Sequence, residues 1–244
     1  MSGMKELEML RSLIAQSKRI VFFGGAGVST ESGIPDFRSN QGVFKAMEKF
    51  GHSPEELLSI GFFRRSPEVF YDYYKSLMVC PDAQPNAAHL ALARLEQAGK
   101  LTAVVTQNID GLHQLAGSKN VLELHGSMLR NHCTACRQGF SMEEILAQVG
   151  VPHCDCGGAI RPDIVMYGEQ LDDTVVTAAI GHIRQADLLL VGGTSLVVYP
   201  AAGLISYFGG NELVLINKSE TKYDSSASLV IHEAIGWVLG ETVE

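Results

Sequence analysis

Four short apolar runs, each followed directly by a glycine or polar cluster, dictate the fold class of this 244-residue chain. The runs occupy residues 19–23, 101–105, 188–191 and 213–216. Continuous apolar stretches of this length predict strands that are buried on both faces of a parallel sheet.

Helical patterns lie between these runs. The segment from Ser53 to Glu56 carries a serine N-cap, a proline at the first helical position and a glutamate three residues after the cap, and Ser66 and Asn86 resemble further N-caps. Strands that alternate with helices predict an α/β fold with a doubly wound parallel sheet. Ligands of such sheets bind beyond the carboxyl ends of the strands, where all four polar clusters lie.

Charge and composition exclude several classes of function. Lysine and arginine number 19 and aspartate and glutamate 27, so the net charge is 19 − 27 = −8, which does not favour binding to nucleic acid or to an anionic membrane. The apolar runs are too short to span a bilayer, and the N-terminus lacks the pattern of a signal peptide. We therefore expect a cytoplasmic protein with no nucleic-acid or membrane partner.

A cysteine cluster interrupts the strand and helix pattern between about residues 131 and 161, where strand-like runs disappear. Four cysteines with the spacing C-x2-C and then C-x-C supply the thiolates of a tetrahedral zinc site, namely Cys133, Cys136, Cys154 and Cys156. The second spacing is unusually tight, but the glycine pair Gly157 and Gly158 can provide the turn it requires. Four thiolates fill the coordination sphere of zinc, so we predict one structural zinc ion per chain.

Two alternatives for this cluster stay open at this point. The cysteines could be buried or redox-active thiols without a metal. His132 and His153 adjoin the cysteines and could compete as ligands. The fifth cysteine, Cys80, is predicted to be a small packing residue.

Three polar clusters carry the residue types of a catalytic site. The glycine cluster of residues 24–29 suits close approach to a pyrophosphate, although it lacks the third glycine and the distant acidic residue of the dehydrogenase fingerprint. The cluster from Gln107 to Asp110 places amide and carboxylate groups where they can orient hydroxyls or a carboxamide. His125, next to a glycine, is a candidate general base.

These segments together resemble the sirtuins, the NAD-dependent protein-lysine deacylases, and more narrowly their compact bacterial-type members. The matching motifs are GAGVSTESGIPDFRS at 25–39, TQNIDGLH at 106–113, ELHGS at 123–127 and GTSLVVYPAA at 193–202. The resemblance covers essentially the whole chain. It implies a Rossmann-like NAD-binding part at 1–40, 84–130 and 162–244, a helical insertion at 41–83 and a zinc-binding module at 131–161.

The resemblance also assigns site residues. It implies that His125 deprotonates a ribose hydroxyl, that Asn108 and Asp110 hold the nicotinamide carboxamide, and that Gln107 positions the ribose. The further residues that it places against NAD are Gly25, Ala26, Thr30, Phe37, Arg38, Ile109, Thr194, Ser195, Asn217, Lys218 and Ile231. Those that it places against an acyl-lysine peptide, bound by strand addition, are Val165, Met166, Tyr167 and, across the cleft, Val198.

The expected activity is transfer of the acetyl group of acetyl-lysine to ADP-ribose, which yields nicotinamide, O-acetyl-ADP-ribose and free lysine. Nicotinamide is expected as product and inhibitor. Family members that prefer succinyl or malonyl groups carry Tyr-x-x-Arg, because a carboxylate needs a paired cation. Here Tyr71 is followed by Tyr74 at the arginine position, which favours acetyl or longer apolar groups; both tyrosines could instead merely pack.

Other functions remain alternatives. An ADP-ribosyltransferase or an NAD glycohydrolase would use the same nicotinamide pocket, and a long-chain deacylase would differ only in the acyl group. A non-enzymatic zinc-containing binding module predicts a basic surface or degenerate catalytic residues, whereas the chain is acidic and its motifs are intact.

Overall fold

A parallel six-stranded sheet forms the centre of the molecule, and four of its strands are the predicted apolar runs, whereas its two edge strands were not predicted. A computed structural model describes residues 2–36 and 39–243. The sheet has the strand order β3-β2-β1-β7-β8-β9. Its strands are β1 (Ile20–Gly24), β2 (Leu101–Thr106), β3 (Val121–Glu123), β7 (Leu188–Gly192), β8 (Glu212–Ile216) and β9 (Leu229–Ile231).

The strand register aligns the carboxyl ends of the central strands. Gly24 at the end of β1 lies opposite Thr106 of β2 and Gly192 of β7, and Gly192 in turn lies opposite Ile216 of β8. The polar clusters that follow these four strands therefore meet at one edge of the sheet, where ligands of doubly wound folds bind.

Helices cover both faces of the sheet. On one face, the buried side chains of α1, α6 and α10 pack against the strands, and Leu10 and Leu92 are fully buried. On the other face, α9 and a 3-10 helix at Ala201–Tyr207 pack against Phe23 and Leu189. The helices of this part are α1 (Ser2–Gln16), α6 (Ala87–Gln97), α7 (Leu112–Leu115), α9 (Asp173–Gln185) and α10 (Ile235–Thr242).

A cluster of short helices precedes α6. The predicted cap at Ser53 is confirmed, because its hydroxyl accepts the N–H of Glu56 at 3.2 Å. Asn86 also caps as predicted, whereas Ser66 precedes a helix without a side-chain cap bond. The helices are α2 (Asn40–Phe50), α3 (Pro54–Leu57), α4 (Ile60–Arg65) and α5 (Pro67–Tyr73), and α5 continues as a π-helical turn at Tyr74–Met78.

The cysteine segment contains short antiparallel strands, so the expectation that strands disappear there is wrong. A second sheet contains the strands β4 (Gly126–Cys133), β5 (Gly139–Ser141) and β6 (Ile160–Ile164), in the order β5-β4-β6. The helix α8 (Met142–Leu146) follows β5 directly in the chain. Its pairing shifts register between Ser127 and Asn131, so neither strict alternation nor a continuous apolar run marks it in the sequence. The sheet extends beyond residues 131 and 161, and the predicted domain bounds stay predictions.

Among the helices that the structure describes, none combines the length and the apolar character needed to cross a membrane.

Candidate active site

A cavity of about 200 Å³ opens at the carboxyl edge of the large sheet. One wall comes from the loops that follow β1, β2 and β3, with Ala26, Asn108 and His125. The opposite wall comes from the segment after β6 and from the loop at Val198. Clefts at this edge are the usual ligand sites of doubly wound sheets.

The glycine turns after β1 and β7 touch backbone to backbone. The N–H of Gly27 donates to the carbonyl of Gly193 at 2.8 Å, and a Cβ on Gly27 would lie 2.7 Å from the Gly193 Cα. Gly193 itself has a φ of +60°, a conformation that other residues rarely adopt. The two turns therefore pack closely because neither has a side chain there, and this contact fixes the main chain that leads into Ala26 on the cavity wall.

Three side chains on this wall form one polar network. The Ser29 hydroxyl donates to Asp110 Oδ2 at 2.7 Å and accepts from Asn108 Nδ2 at 3.0 Å. Asp110 Oδ1 accepts the N–H of Leu112 at 2.9 Å. The network fixes a carboxylate and an amide next to each other, an arrangement that suits recognition of a carboxamide, which both donates and accepts hydrogen bonds.

The ring of His125 is held by Gln107. Nδ1 lies 2.9 Å from the Gln107 carbonyl oxygen, which can only accept, so Nδ1 carries the proton and Nε2 carries the lone pair. The Gln107 side chain donates to the Thr194 hydroxyl at 3.0 Å. Next to the histidine, Gly126 has a φ of +73°, and a Cβ there would overlap the Asp163 carbonyl oxygen. The site therefore contains an imidazole in the tautomer of a general base.

The four predicted cysteines form one cluster. Their Sγ atoms all lie within 4.8 Å of one another, with 3.5 Å between Cys133 and Cys156 and 3.6 Å between Cys136 and Cys154. Zn–S bonds of about 2.3 Å in a tetrahedron place the sulfurs about 3.8 Å apart. The cluster thus fits a four-thiolate zinc ion, which leaves no open position for a catalytic water.

The two glycines that follow Cys156 make the tight C-x-C spacing sterically possible. Gly157 has a φ of +84°, and a Cβ on Gly158 would lie 2.6 Å from Cys133 Sγ. The N–H groups of Ala135 and Cys136 lie 3.4 and 3.5 Å from the same sulfur and favour its thiolate form, as suits a zinc ligand.

Both candidate competing histidines have other partners. His132 Nδ1 lies 2.7 Å from an Asp163 carboxylate oxygen, and His153 Nδ1 lies 2.8 Å from the Val151 carbonyl. The four-cysteine ligand set is therefore the one that the geometry supports.

Comparison with known proteins identifies the family. The sequence model of the Sir2 family matches residues 25–200. The chain belongs to the Sir2 family. A protein of Clostridium perfringens (strain 13 / Type A) named NAD-dependent protein deacetylase is 57% identical over 241 residues, which cover 98% of this chain and 99% of the relative. A protein of the same name from Staphylococcus aureus (strain Mu50 / ATCC 700699) is 49% identical, with 93% of this chain and 94% of the relative covered.

Solved Sir2 structures share the fold at full length. A Sir2 protein with a deacetylated p53 peptide and 3'-O-acetyl-ADP-ribose superposes with a TM-score of 0.88 at 38% identity, and covers 98% of this chain and 99% of its own. A Sir2 homologue bound to NAD gives a TM-score of 0.86 at 40% identity, with 96% and 91% covered.

The structure of this Sir2 chain brings most of the predicted site residues together. Ten of them line the cavity: Ala26, Gln107, Asn108, Ile109, Asp110, His125, Val165, Met166, Tyr167 and Val198. Gly25 and Thr194 lie beside it, since a Cβ on Gly25 would lie 2.9 Å from Thr194 Cβ. Thr30 is exposed and donates to the Gly27 carbonyl at 2.9 Å.

Of the other predicted NAD residues, Ser195 follows β7, Asn217 and Lys218 follow β8, and Ile231 is the last residue of β9. Ser195 and Lys218 are exposed, and the N–H of Asn217 donates to the Ile231 carbonyl at 3.1 Å. Phe37 and Arg38 lie outside the described residues. Their roles toward NAD stay predictions.

Tyr71 and Tyr74 are fully buried in the helical cluster and are not among the described residues that line the cavity. The Tyr71 hydroxyl donates to the Ile160 carbonyl. The Tyr74 hydroxyl has no hydrogen-bond partner within the described part of the chain, and burial raises its pKa. Their predicted contact with the acyl group stays a prediction.

Sequence reasoning missed several cavity residues. Ser29 lies inside the quoted GAGVST motif, and its membership of that motif was the available signal. In the structure, its hydroxyl lies between Asn108 and Asp110, which belong to a second quoted motif. An apolar set from distant parts of the chain carried no local signal, namely Leu58, Leu77, Met78 and Met128.

Proposed function

We propose that this chain is an NAD-dependent protein-lysine deacetylase, which converts acetyl-lysine, NAD and water into lysine, nicotinamide and O-acetyl-ADP-ribose. One observation carries the proposal: His125, in the tautomer of a base, shares a single cleft with the Ser29, Asn108 and Asp110 network. Full-length relatives that are named NAD-dependent protein deacetylase support it.

The wall at the sheet edge fits NAD. The main chain at Gly25 and Ala26, held in place by the contact between Gly27 and Gly193, would bind its phosphates. The residues that would hold the adenosine half are Thr194, Ser195, Asn217, Lys218 and Ile231. Asn108 and Asp110 would orient the carboxamide. When bound, NAD supplies a ribose carbon joined to a positively charged leaving group.

His125 is the proposed general base. Its Nε2 would take the proton of a ribose hydroxyl, while Nδ1–H donates to the Gln107 carbonyl and so stabilises the charged ring. The Gln107 side chain is fixed by Thr194, which is 4% exposed, so the base is supported by a buried hydrogen bond rather than by a mobile surface group.

The acyl-lysine peptide would bind between residues 165–168 and Val198 by strand addition, with its side chain directed into the cavity. No lysine or arginine is among the described residues that line this cavity. A succinyl or malonyl carboxylate would therefore lack a paired cation there, whereas acetyl and longer apolar groups meet apolar side chains such as Leu58 and Met78.

Four parts of the proposal stay predictions. They are the cytoplasmic location, the domain bounds, the absence of a nucleic-acid partner and the inhibition by nicotinamide. The zinc ion is proposed to be structural, held by the four-cysteine cluster.

The experiment is mass spectrometry of the products formed by the purified protein from NAD and an acetyl-lysine peptide, compared with a His125→Ala variant. We expect lysine peptide and O-acetyl-ADP-ribose from the wild type and at least a 100-fold slower reaction from the variant, since general base catalysis contributes roughly 100- to 10,000-fold. ADP-ribosylated peptide in place of deacetylated peptide would assign the cleft to ADP-ribosyl transfer.

A further inference from the structure

A largely buried ion pair holds the chain segment that forms the peptide side of the cleft. Arg161 Nη1 donates to Glu169 Oε1 at 2.8 Å, and Nη2 donates to Oε2 at 2.9 Å. The two side chains are only 17% and 25% exposed. The pair is bidentate and partly shielded from water, the condition in which such a pair imposes a definite geometry.

The same two side chains also bind the backbone of the segment. Glu169 Oε2 accepts the N–H of Met166 at 2.9 Å, and Arg161 Nη2 donates to the Ile164 carbonyl at 3.0 Å. The N–H of Glu169 in turn donates to the Met166 carbonyl at 2.9 Å. These bonds form a ring around residues 164–169, all of which line the cavity. The ring fixes the orientation of the peptide groups that face the cleft.

Three successive N–H groups of this segment are used inside the protein. Val165 donates to the His125 carbonyl at 3.0 Å, Met166 donates to Glu169, and Tyr167 donates to the Leu58 carbonyl at 2.9 Å. Of the three acceptors, only the one that binds the Met166 N–H belongs to a side chain, that of Glu169. The carbonyls of Met166 and Tyr167 already accept the N–H groups of Glu169 and Ile60, at 2.9 and 3.0 Å. Within the described part of the chain, the carbonyl of Val165 is therefore the one of the three without a backbone donor, and a bound peptide can pair with it by donating an N–H group.

We propose that Arg161 and Glu169 are positioning residues for the acyl-lysine substrate. They act through the backbone of Ile164 and Met166 and hold the carbonyl group of Val165, which lies between these two residues, in the direction that accepts an N–H group of the peptide. This inference rests on the proposed deacetylase function. It adds a role for two residues that lie outside the quoted sequence motifs.

The test compares Glu169→Ala and Glu169→Gln with the wild-type protein. Glutamine keeps an oxygen that can accept the Met166 N–H but loses the charge. The matched control is Asp72→Asn, which breaks an exposed 3.2 Å ion pair with Lys49 on the helical insertion. For each protein, KM for an acetyl-lysine peptide at saturating NAD, KM for NAD at saturating peptide, kcat and Tm are measured.

We expect the peptide KM to rise roughly tenfold in Glu169→Ala and roughly threefold in Glu169→Gln, because a hydrogen bond to a charged group is lost in the first and weakened in the second. The NAD KM should change less than about twofold, and Asp72→Asn should match the wild type. If Glu169→Ala does not fold, Arg161→Lys, which keeps the charge but not the bidentate geometry, should raise the peptide KM roughly fivefold.

An unchanged peptide KM in Glu169→Ala, or a fall in kcat and Tm with both KM values unchanged, would overturn the proposal. A wild-type protein that does not deacetylate the peptide would instead refute the proposed function. In that case, fluorescence anisotropy of a labelled acetyl-lysine peptide still decides the role of the pair, since only a positioning role predicts weaker binding by Glu169→Ala.

Discussion

Two buried histidines behind the polar wall of the cleft make the fold sensitive to acid. His89 and His113 are 0% and 1% exposed, and their ring centroids lie 4.7 Å apart. The Nε2 of His89 and both ring nitrogens of His113 have no hydrogen-bond partner among the described residues. Burial lowers the pKa of His89 to about 4, against a partial opposing effect of Asp110, and lowers that of His113 to about 3.

The pKa shifts set the direction and size of the effect. Because the folded-state pKa values lie below the ordinary value of 6.5, the unfolded chain binds more protons than the folded one between pH 6.5 and 4. This contribution to stability is full above pH 6.5 and is lost as the pH falls. Below pH 6.5, the contribution of each histidine to the free energy of unfolding falls by about 1.4 kcal/mol per pH unit. At pH 5, each histidine therefore lowers the free energy of unfolding by about 2 kcal/mol relative to neutral pH.

The assay is denaturant unfolding at pH values from 7.5 to 5 for the wild type, His113→Phe and the control His52→Gln, which replaces a partly exposed histidine whose Nδ1 lies 3.0 Å from a Glu56 carboxylate oxygen. His113→Phe keeps an aromatic ring beside Phe22 and removes the titrating group. We expect its loss of stability between pH 7.5 and 5 to be smaller than that of the wild type by about 2 kcal/mol. Protonation of the zinc ligands affects all three proteins alike and cancels in the difference. Equal losses in the wild type and His113→Phe would refute the reasoning.

Three further predictions concern the zinc site, the acyl group and the core. Gly158→Ala should lower zinc content and Tm, because its Cβ would lie 2.6 Å from Cys133 Sγ. Gly209→Ala, with open space around it, should change neither. Equal zinc content in the two variants would contradict this prediction. Succinyl-lysine peptide should react at least roughly tenfold more slowly than acetyl-lysine peptide in a steady-state assay, since the described residues that line the cavity offer its carboxylate no lysine or arginine. Equal kcat/KM values would exclude that explanation. Leu10→Ala should cost about 3 kcal/mol in denaturant unfolding without changing kcat of the folded enzyme, because Leu10 is fully buried far from the cleft motifs; a cost below about 1 kcal/mol would contradict its place in the core.

The large sheet and the zinc cluster could be predicted because their signals are local in the sequence. Each of the four central strands is one continuous apolar run, and its polar cluster follows directly, whereas the short edge strands β3 and β9 carry no such signal. The cysteine spacing similarly contains the two glycines that its geometry needs, as the positive φ of Gly157 shows. Residues such as His125 and Asn108 were found because they lie inside motifs.

The small sheet and the apolar side of the cavity could not be predicted in this way. The strand from Gly126 to Cys133 changes register midway, which removes the alternation that marks a strand. Leu77 and Met78 reach the cavity from a π-helical turn, and Met128 reaches it from a strand of the other sheet, so only tertiary packing brings them together. The anchoring pair Arg161 and Glu169 is likewise eight residues apart and unmarked by any motif.

The coupling between nicotinamide release and deacetylation tests the central claim most directly. Both products are quantified by liquid chromatography and mass spectrometry over one time course, with and without acetyl-lysine peptide. A single cleft that binds both substrates predicts equal amounts of nicotinamide and lysine peptide at every time, and no nicotinamide without peptide. Nicotinamide released at the same rate without peptide would contradict the account, since NAD cleavage would then be independent of the acyl-lysine site.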